Sequence, residues 1–263
     1  MRLMKIAETA ARAVRDPLLS AFRSEMAVDY KVDLHDIVTI HDKRAEAAIR
    51  AVILASEPNS AIMGEEGGQI GSGDVQWYVD PIDGTANFAR GLAFWCVSIA
   101  AVIDGEAVAG VVYDPVADQM FSANLEASYL DGDKLRSRSV ADETRATLIT
   151  GYPHSRHLRP AGREAALANF GPLVATFSTL HQPGSPSLST PHVAAGCTDA
   201  APRVGVHGGI AELLLQLGQL RQERRDRLEH PRRDLSGRRC RSRSRRAATS
   251  ASARGTRCSS PSP

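Results

Sequence analysis

Lysine and aromatic residues are scarce in this 263-residue chain, and both run out well before its end. Arginine supplies 28 of the 32 basic residues, Lys134 is the last lysine and Phe177 the last aromatic. Cysteine is sparse too. Cys96, Cys197, Cys240 and Cys258 show no paired spacing, which excludes a spaced cysteine metal module, suits a reducing cytoplasm, and leaves Cys96 as a small core residue in an apolar strand pattern. The longest apolar run, Leu92 to Ile103, is interrupted by Ser98 and too short to span a bilayer, so no membrane partner is expected. The N-terminus carries Arg2 and Lys5 but is soon broken by Glu8 and Arg12, which is not a signal-peptide pattern. No internal repeat is visible. The histidines are scattered, and neither His35 nor His41 sits in a ligand pattern, so both read as surface or capping groups.

What the chain does have is a 43% hydrophobic content, enough for a globular body of roughly 200 residues in two or three layers, or two lobes. Its most informative stretch is Trp77 to Phe88, preceded by Gly64-Glu65-Glu66-Gly67-Gly68. Ile62-Met63 and Trp77-Tyr78-Val79 are short apolar runs bounded by Gly, Asp and Pro, so each reads as a buried strand ending in carboxylates. If those strands are neighbours, Glu65, Asp80 and Asp83 converge. Like charges raise one another's pKa, and a hard divalent ion bound through oxygen is the usual compensation. Pro81 holds Asp80 extended and Gly84 permits a tight bend, so Asp80 and Asp83 can face one spot with the Ile82 carbonyl as a further oxygen ligand. Thr85 can open a helix whose N-terminal N–H groups favour a phosphate. Asp-Pro and Asp-Gly are also ordinary turn formers, and Asp83 alone could cap a helix. The two acidic elements together favour metal-assisted phosphate ester hydrolysis.

On these motifs the sequence resembles the inositol monophosphatase family of Mg2+-dependent, lithium-sensitive sugar phosphatases, over about Val38 to Val206. Val38-Thr39-Ile40-His41-Asp42 with Glu46 is similar to the motif before the first metal ligand. The run from Trp95 to Ala100, Gly105 and Ala109 to Pro115 resemble the central hairpins. Gly184-Ser185, His192 to Gly196 and Asp199-Ala200 resemble the late strand and helix. The resemblance implies a layered α/β/α/β sandwich, with an N-terminal α+β lobe to about 140 and a partial, incomplete C-terminal α/β lobe after it. It implies that Glu65, Asp80 and the Ile82 carbonyl hold one Mg2+, and that Asp80 bridges to a second held by Asp83. Glu65 and Thr85 would position the attacking water, and Asp42 would orient Thr85. Asp83, Gly84, Thr85, Gly184 and Ser185 would line the substrate site. Inositol monophosphate is the expected substrate among small polyol phosphates. Family members are commonly dimers, so a homodimer is the implied assembly.

The chain departs from the family pattern late. Arg203 stands where the family has a substrate-contacting Glu, and Gly209-Ile210 where it has a Trp-Asp pair whose Asp completes the second metal site. An isoleucine side chain cannot coordinate Mg2+. Trp and Asp codons read one nucleotide late give Gly followed by Ile among few outcomes, so a change of reading frame near Gly208 explains the pair. Residues 221–263 hold 14 of the 28 arginines against Glu223, Asp226, Glu229 and Asp234, with no lysine or aromatic. The composition of 209–263 is that of a divergent tail, Arg/Ser-rich and expected to be disordered from about 221. Two other readings follow: a family member impaired by the missing Asp, and, less favoured, a nucleic-acid-interacting protein that uses the basic tail.

Periodicity completes the expectations. Ile6, Ala10, Val14 and Leu18 mark one N-terminal helix, and a second runs from about Asp42 to Ala55. Asp104-Gly105 and Asp131-Gly132 mark hairpin turns. Ser155 to Gly162 reads as loop, and Ala165 to Val174 as a helical pattern broken by Gly171-Pro172. The frame change is checked by resequencing the DNA across codons 203 to 215: the expected outcome is a frame that restores Trp-Asp, whereas an unchanged reading leaves that ligand absent.

Overall fold

A computed structural model describes residues 1–30, 37–135 and 142–199. His35, the lobe boundary near 140, Ala200, Arg203, Gly209-Ile210 and the basic tail lie outside the described residues.

Two short helices, α1 (Arg2–Ala13) and α2 (Arg15–Ala21), replace the one N-terminal helix expected. The cause is Pro17: it has no N–H to give to the Ala13 carbonyl, so the first helix stops there, and Val14 accepts from Leu18 at 3.1 Å to start the next. Two short strands, β1 (Asp29–Tyr30) and β2 (Ile37–Val38), pair antiparallel ahead of α3 (Ile40–Ser56). Thr39 caps α3 in a capping box with Asp42. Asp42, Ala45, Glu46, Ile49 and Ile53 form its buried face, so two acids share a stripe with the apolar residues.

The main sheet contains β3 (Ser60–Gly64), β4 (Gly68–Gly71), β5 (Val75–Asp83), β6 (Cys96–Ile103), β7 (Glu106–Asp114), β8 (Gln119–Asn124), β9 (Ser128–Leu130) and β10 (Asp133–Lys134), with the helix α4 (Thr85–Arg90) between β5 and β6. Its order is β10-β9-β8-β7-β6-β5-β3-β4. Only β3 and β5 run parallel, in a register that sets Gly64 opposite Val79. The strand β4 was not anticipated; it is glycine-rich and mostly exposed, so it lacks the apolar signature that marks a strand in sequence. Asp104-Gly105 and Asp131-Gly132 make the expected hairpin turns, with φ of 53° and 76° in the first and 51° and 90° in the second.

α1, α2 and α3 cover one face of this sheet over Trp77, Val79, Ile99, Val111 and Tyr113. The opposite face, with Cys96, Ala100, Val112, Phe121 and Ala123, packs on Leu188 of a later helix. That helix, α6 (Pro186–Ala194), follows β11 (Thr147–Ile149), α5 (Arg163–Thr176) and β12 (Thr179–His181), with β11 and β12 paired parallel. The layering is that of the expected α/β/α/β sandwich. Ser155 to Leu158 forms a short 3-10 turn where loop was expected, and α5 runs unbroken through Pro172. Pro172 removes one backbone hydrogen bond there and crowds the Ala168 carbonyl one turn before it. α5 is thinly packed: it buries only Ala166 and leaves Leu167 and Val174 more than half exposed.

Ile49 is fully enclosed between α3 and the sheet. Ile49→Ala is expected to cost about 2–5 kcal/mol in urea unfolding, while Lys43→Ala on the exposed side of α3 stays within about 0.5 kcal/mol.

Candidate active site

The parallel register of β3 and β5 brings the two acidic motifs together. Glu65 follows the last residue of β3 and donates its amide to the Val79 carbonyl at 3.1 Å, which places it beside Asp80. Glu65 and Asp80 hydrogen-bond to each other through their side chains. Asp80 Oδ1 also accepts from the Ile82 amide at 3.1 Å, closing the turn around Pro81. The β5–β6 pairing shifts between Asp80 and Asp83, because Pro81 has no N–H to offer the ladder, and resumes with Asp83 opposite Cys96.

Burial, the Asp83 charge and the Glu65 charge push the Asp80 carboxyl well above the usual carboxylate range. Burial likewise pushes Asp83 up to about 6, opposed by hydrogen bonds from the Ser185 hydroxyl and the Ser187 amide. The Cys96 thiol, 3.9 Å from Asp83 Oδ2, is held protonated by burial and by both aspartates.

Thr85 is the first residue of α4, and its hydroxyl lies 2.9 Å from the Ile82 carbonyl and 3.2 Å from Asp42 Oδ1. Asp42 is 1% exposed. Its Oδ2 accepts the Thr39 amide at 2.8 Å and the Thr39 hydroxyl at 2.6 Å, so the cap of α3 and the Thr85 contact share one carboxylate. Burial raises its pKa against these hydrogen bonds. Gly84 precedes α4 at φ 94°, and a Cβ there would meet the Phe94 carbonyl and Ser185 Cβ at 3.1 Å. Glycine is required by both the angle and the space.

Gly184 and Ser185 come near this cluster. Ser185 is 1% exposed, caps α6 and gives its hydroxyl to Asp83 Oδ2.

The turn that carries Glu65 rests on a buried ion pair. Buried Glu46 accepts the Glu66 amide at 2.7 Å and the Gly67 amide at 2.9 Å, and pairs with Arg50 at 2.7 Å. Arg50 in turn donates to the Gly68 carbonyl at 2.7 Å. A Cβ on Gly64 would lie 2.3 Å from Glu46 Cδ, and one on Gly67 2.6 Å from Arg50 Nη1, so both glycines let the turn sit on this ion pair. The signal for Glu46 was an acid on the apolar stripe of α3, with Arg50 one turn later.

Among the described residues no three carboxyl, imidazole or thiol groups stand in a finished coordinating arrangement. The donor chemistry nevertheless fits a hard divalent cation: Glu65, Asp80 and Asp83 offer only oxygen, and they are crowded enough to oppose one another's charge.

A family model described as inositol monophosphatase family matches residues 2–208. The chain is 34% identical over 209 residues to the Nus factor SuhB of Pasteurella multocida, covering 78% of this chain and 77% of that one. It is 37% identical over 207 residues to the Nus factor SuhB of Pseudomonas aeruginosa, covering 75% of each. Among solved structures it resembles the extragenic suppressor protein suhB of Bartonella henselae, with a TM-score of 0.74, 27% identity and coverage of 83% and 85%. It also resembles the Thermotoga maritima IMPase, with a TM-score of 0.72, 27% identity and coverage of 82% of each.

Two outcomes are expected. Removing the buried Glu46 carboxylate takes the acid from the partly buried Arg50 and leaves the turn amides without their acceptor, so Glu46→Ala costs about 3 kcal/mol in urea unfolding. The second concerns pH. A carboxyl whose pKa is higher folded than unfolded favours the folded state below its unfolded value and loses that contribution as pH rises through the folded one. The metal-free protein therefore loses stability from this site as pH climbs from 3.8 through about 6. Asp80→Asn, measured by thermal unfolding in chelator across the same window, loses less and melts higher at its upper end.

Proposed function

The chain belongs to the inositol monophosphatase family, and from that premise we propose that it is a Mg2+-dependent phosphatase of a small polyol phosphate monoester, inositol monophosphate first among them. The family is a phosphatase family whose members are generally metal-dependent. The observation that carries the reading is the meeting of Glu65, Asp80 and Asp83 at the ends of two parallel neighbours, with Thr85 and Asp42 hydrogen-bonded beside them.

Glu65, Asp80 and the Ile82 carbonyl are the groups to hold one cation, and Asp80 with Asp83 to share a second. A divalent cation held there would supply a lower pKa for the attacking water and a counter-charge for the leaving alkoxide. The remaining work falls to the protein's own groups. Asp42 accepts a hydrogen bond from the Thr85 hydroxyl, which leaves the Thr85 oxygen to accept one from a water, and Glu65 takes a proton from that water. The N–H groups at the start of α4 suit the phosphate oxygens.

Residues 1–208 form the phosphatase domain in this reading and 209–263 a separate tail. The family match ends at residue 208, where Gly209-Ile210 begins in place of Trp-Asp. That substitution favours a second reading, an impaired member. Turnover of inositol monophosphate should accordingly be Mg2+-dependent yet weak, about a hundredfold below an enzyme with the Asp in place. Asp80→Asn should abolish what activity there is. Full turnover that survives chelation would overturn the reading. The relatives named Nus factors raise an interaction role as well; for this chain it would rest on the arginines of 221–263. Salt-sensitive RNA binding lost on deleting 221–263, with turnover unchanged, would favour it.

A further inference from the structure

Among the described residues, the hydrogen bonds to the Asp83 carboxyl fall on one oxygen: Oδ2 accepts the Ser185 hydroxyl, the Ser187 amide at 2.9 Å and the Cys96 thiol at 3.9 Å. A carboxylate oxygen has two lone pairs, so three donors leave Oδ2 without capacity for a cation. The donors come from different layers: Cys96 from the strand beside Asp83, and Ser185 and Ser187 from the start of α6 across the lobe junction.

The serine is itself held. Its oxygen accepts the Leu188 amide at 3.3 Å, so the hydroxyl proton is directed to Asp83 while a lone pair caps α6. The turn before it is fastened by Asn87 of α4, whose Nδ2 donates to the Phe94 carbonyl at 2.7 Å and the Pro183 carbonyl at 2.6 Å. Gly184 sits at φ 89°, and a Cβ there would approach Asn87 Nδ2 to 3.2 Å. Asn87 stands two residues after Thr85, so one short helix carries both a proposed catalytic hydroxyl and the anchor of the opposite lobe.

We propose that Ser185 is a positioning residue for the metal site: its hydroxyl occupies Asp83 Oδ2, fixes the carboxylate rotamer with Ser187 and Cys96, and presents Oδ1 alone to a divalent cation. The inference rests on the metal-site reading above. It assigns α6, and through Asn87 the lobe junction, a part in cation affinity beyond closing the fold.

Mn2+ binding to the full chain, followed by electron paramagnetic resonance, tests it. The relevant site is the Mn2+ lost in Asp83→Asn. Ser185→Ala should weaken that Mn2+ by about 10-fold or more, as expected when the partner that orients a ligand is removed. Ser185→Thr, which keeps the hydroxyl, should restore it. Thermal unfolding without metal reports the loss of the α6 cap separately. If Ser185→Ala lowers only the metal-free melting temperature and binds Mn2+ like the wild type, Ser185 is a helix cap and the proposal falls. If Asp83→Asn also binds Mn2+ like the wild type, the metal-site reading itself fails. Should Ser185→Ala not fold, Ser185→Cys, with a weaker donor of similar size, carries the same comparison: Mn2+ affinity between that of wild type and Asp83→Asn supports the assignment, and unchanged affinity overturns it.

Discussion

The constraint on which this structure turns is electrostatic: Glu65, Asp80 and Asp83 are brought together where their charges oppose one another. Such a cluster does not arise by relaxation, because each carboxyl would gain by moving into water. It is imposed by backbone pairing. The parallel β3–β5 register fixes Glu65 beside Asp80, and the irregularity at Pro81 turns Asp83 toward Cys96 instead of continuing the alternation of the strand. The folding free energy of the sheet and its helical cover holds the acids in place.

Each acid is also restrained by neighbours that have no place in the chemistry. Glu46 and Arg50 fix the turn that carries Glu65, through two amides and a carbonyl. Thr39 saturates one oxygen of Asp42, and Ser185 with Ser187 saturates one oxygen of Asp83. In the latter two cases a single carboxylate oxygen absorbs the structural hydrogen bonds. This division lets a residue cap or clamp the fold and still serve a site, and it explains why Asp42 can be an ordinary part of a capping box and also reach Thr85 at 3.2 Å.

Much of this was legible in the sequence because the informative residues are contiguous. Glu65 and the Asp80–Thr85 segment announce strand ends, a bend and a helix start by residue type alone. The hairpins at Asp104-Gly105 and Asp131-Gly132 were readable for the same reason, since Asp-Gly supplies the positive φ both positions need. What escaped was tertiary. The interruption at Val14 depends on a missing N–H three residues later, and β4 forms by pairing with β3 without an apolar pattern of its own. The bond from Ser185 to Asp83 joins residues 102 positions apart, which no local pattern encodes.

Packing sets a limit on the protein as a whole. α6 is well seated, with Leu188 fully enclosed against the main sheet, so the helix start that touches Asp83 is secured by that core. α5 is held far more lightly, with Ala166 the one buried residue of its 14. The acidic site and its supports are thus concentrated on the well-packed side, in residues 39–98 and 183–188. Within the described residues, a loss of packing around α5 would reach Asp83 only if it displaced α6. The 2.6 Å bond from Asn87 to the Pro183 carbonyl opposes that displacement at the turn where the two regions meet.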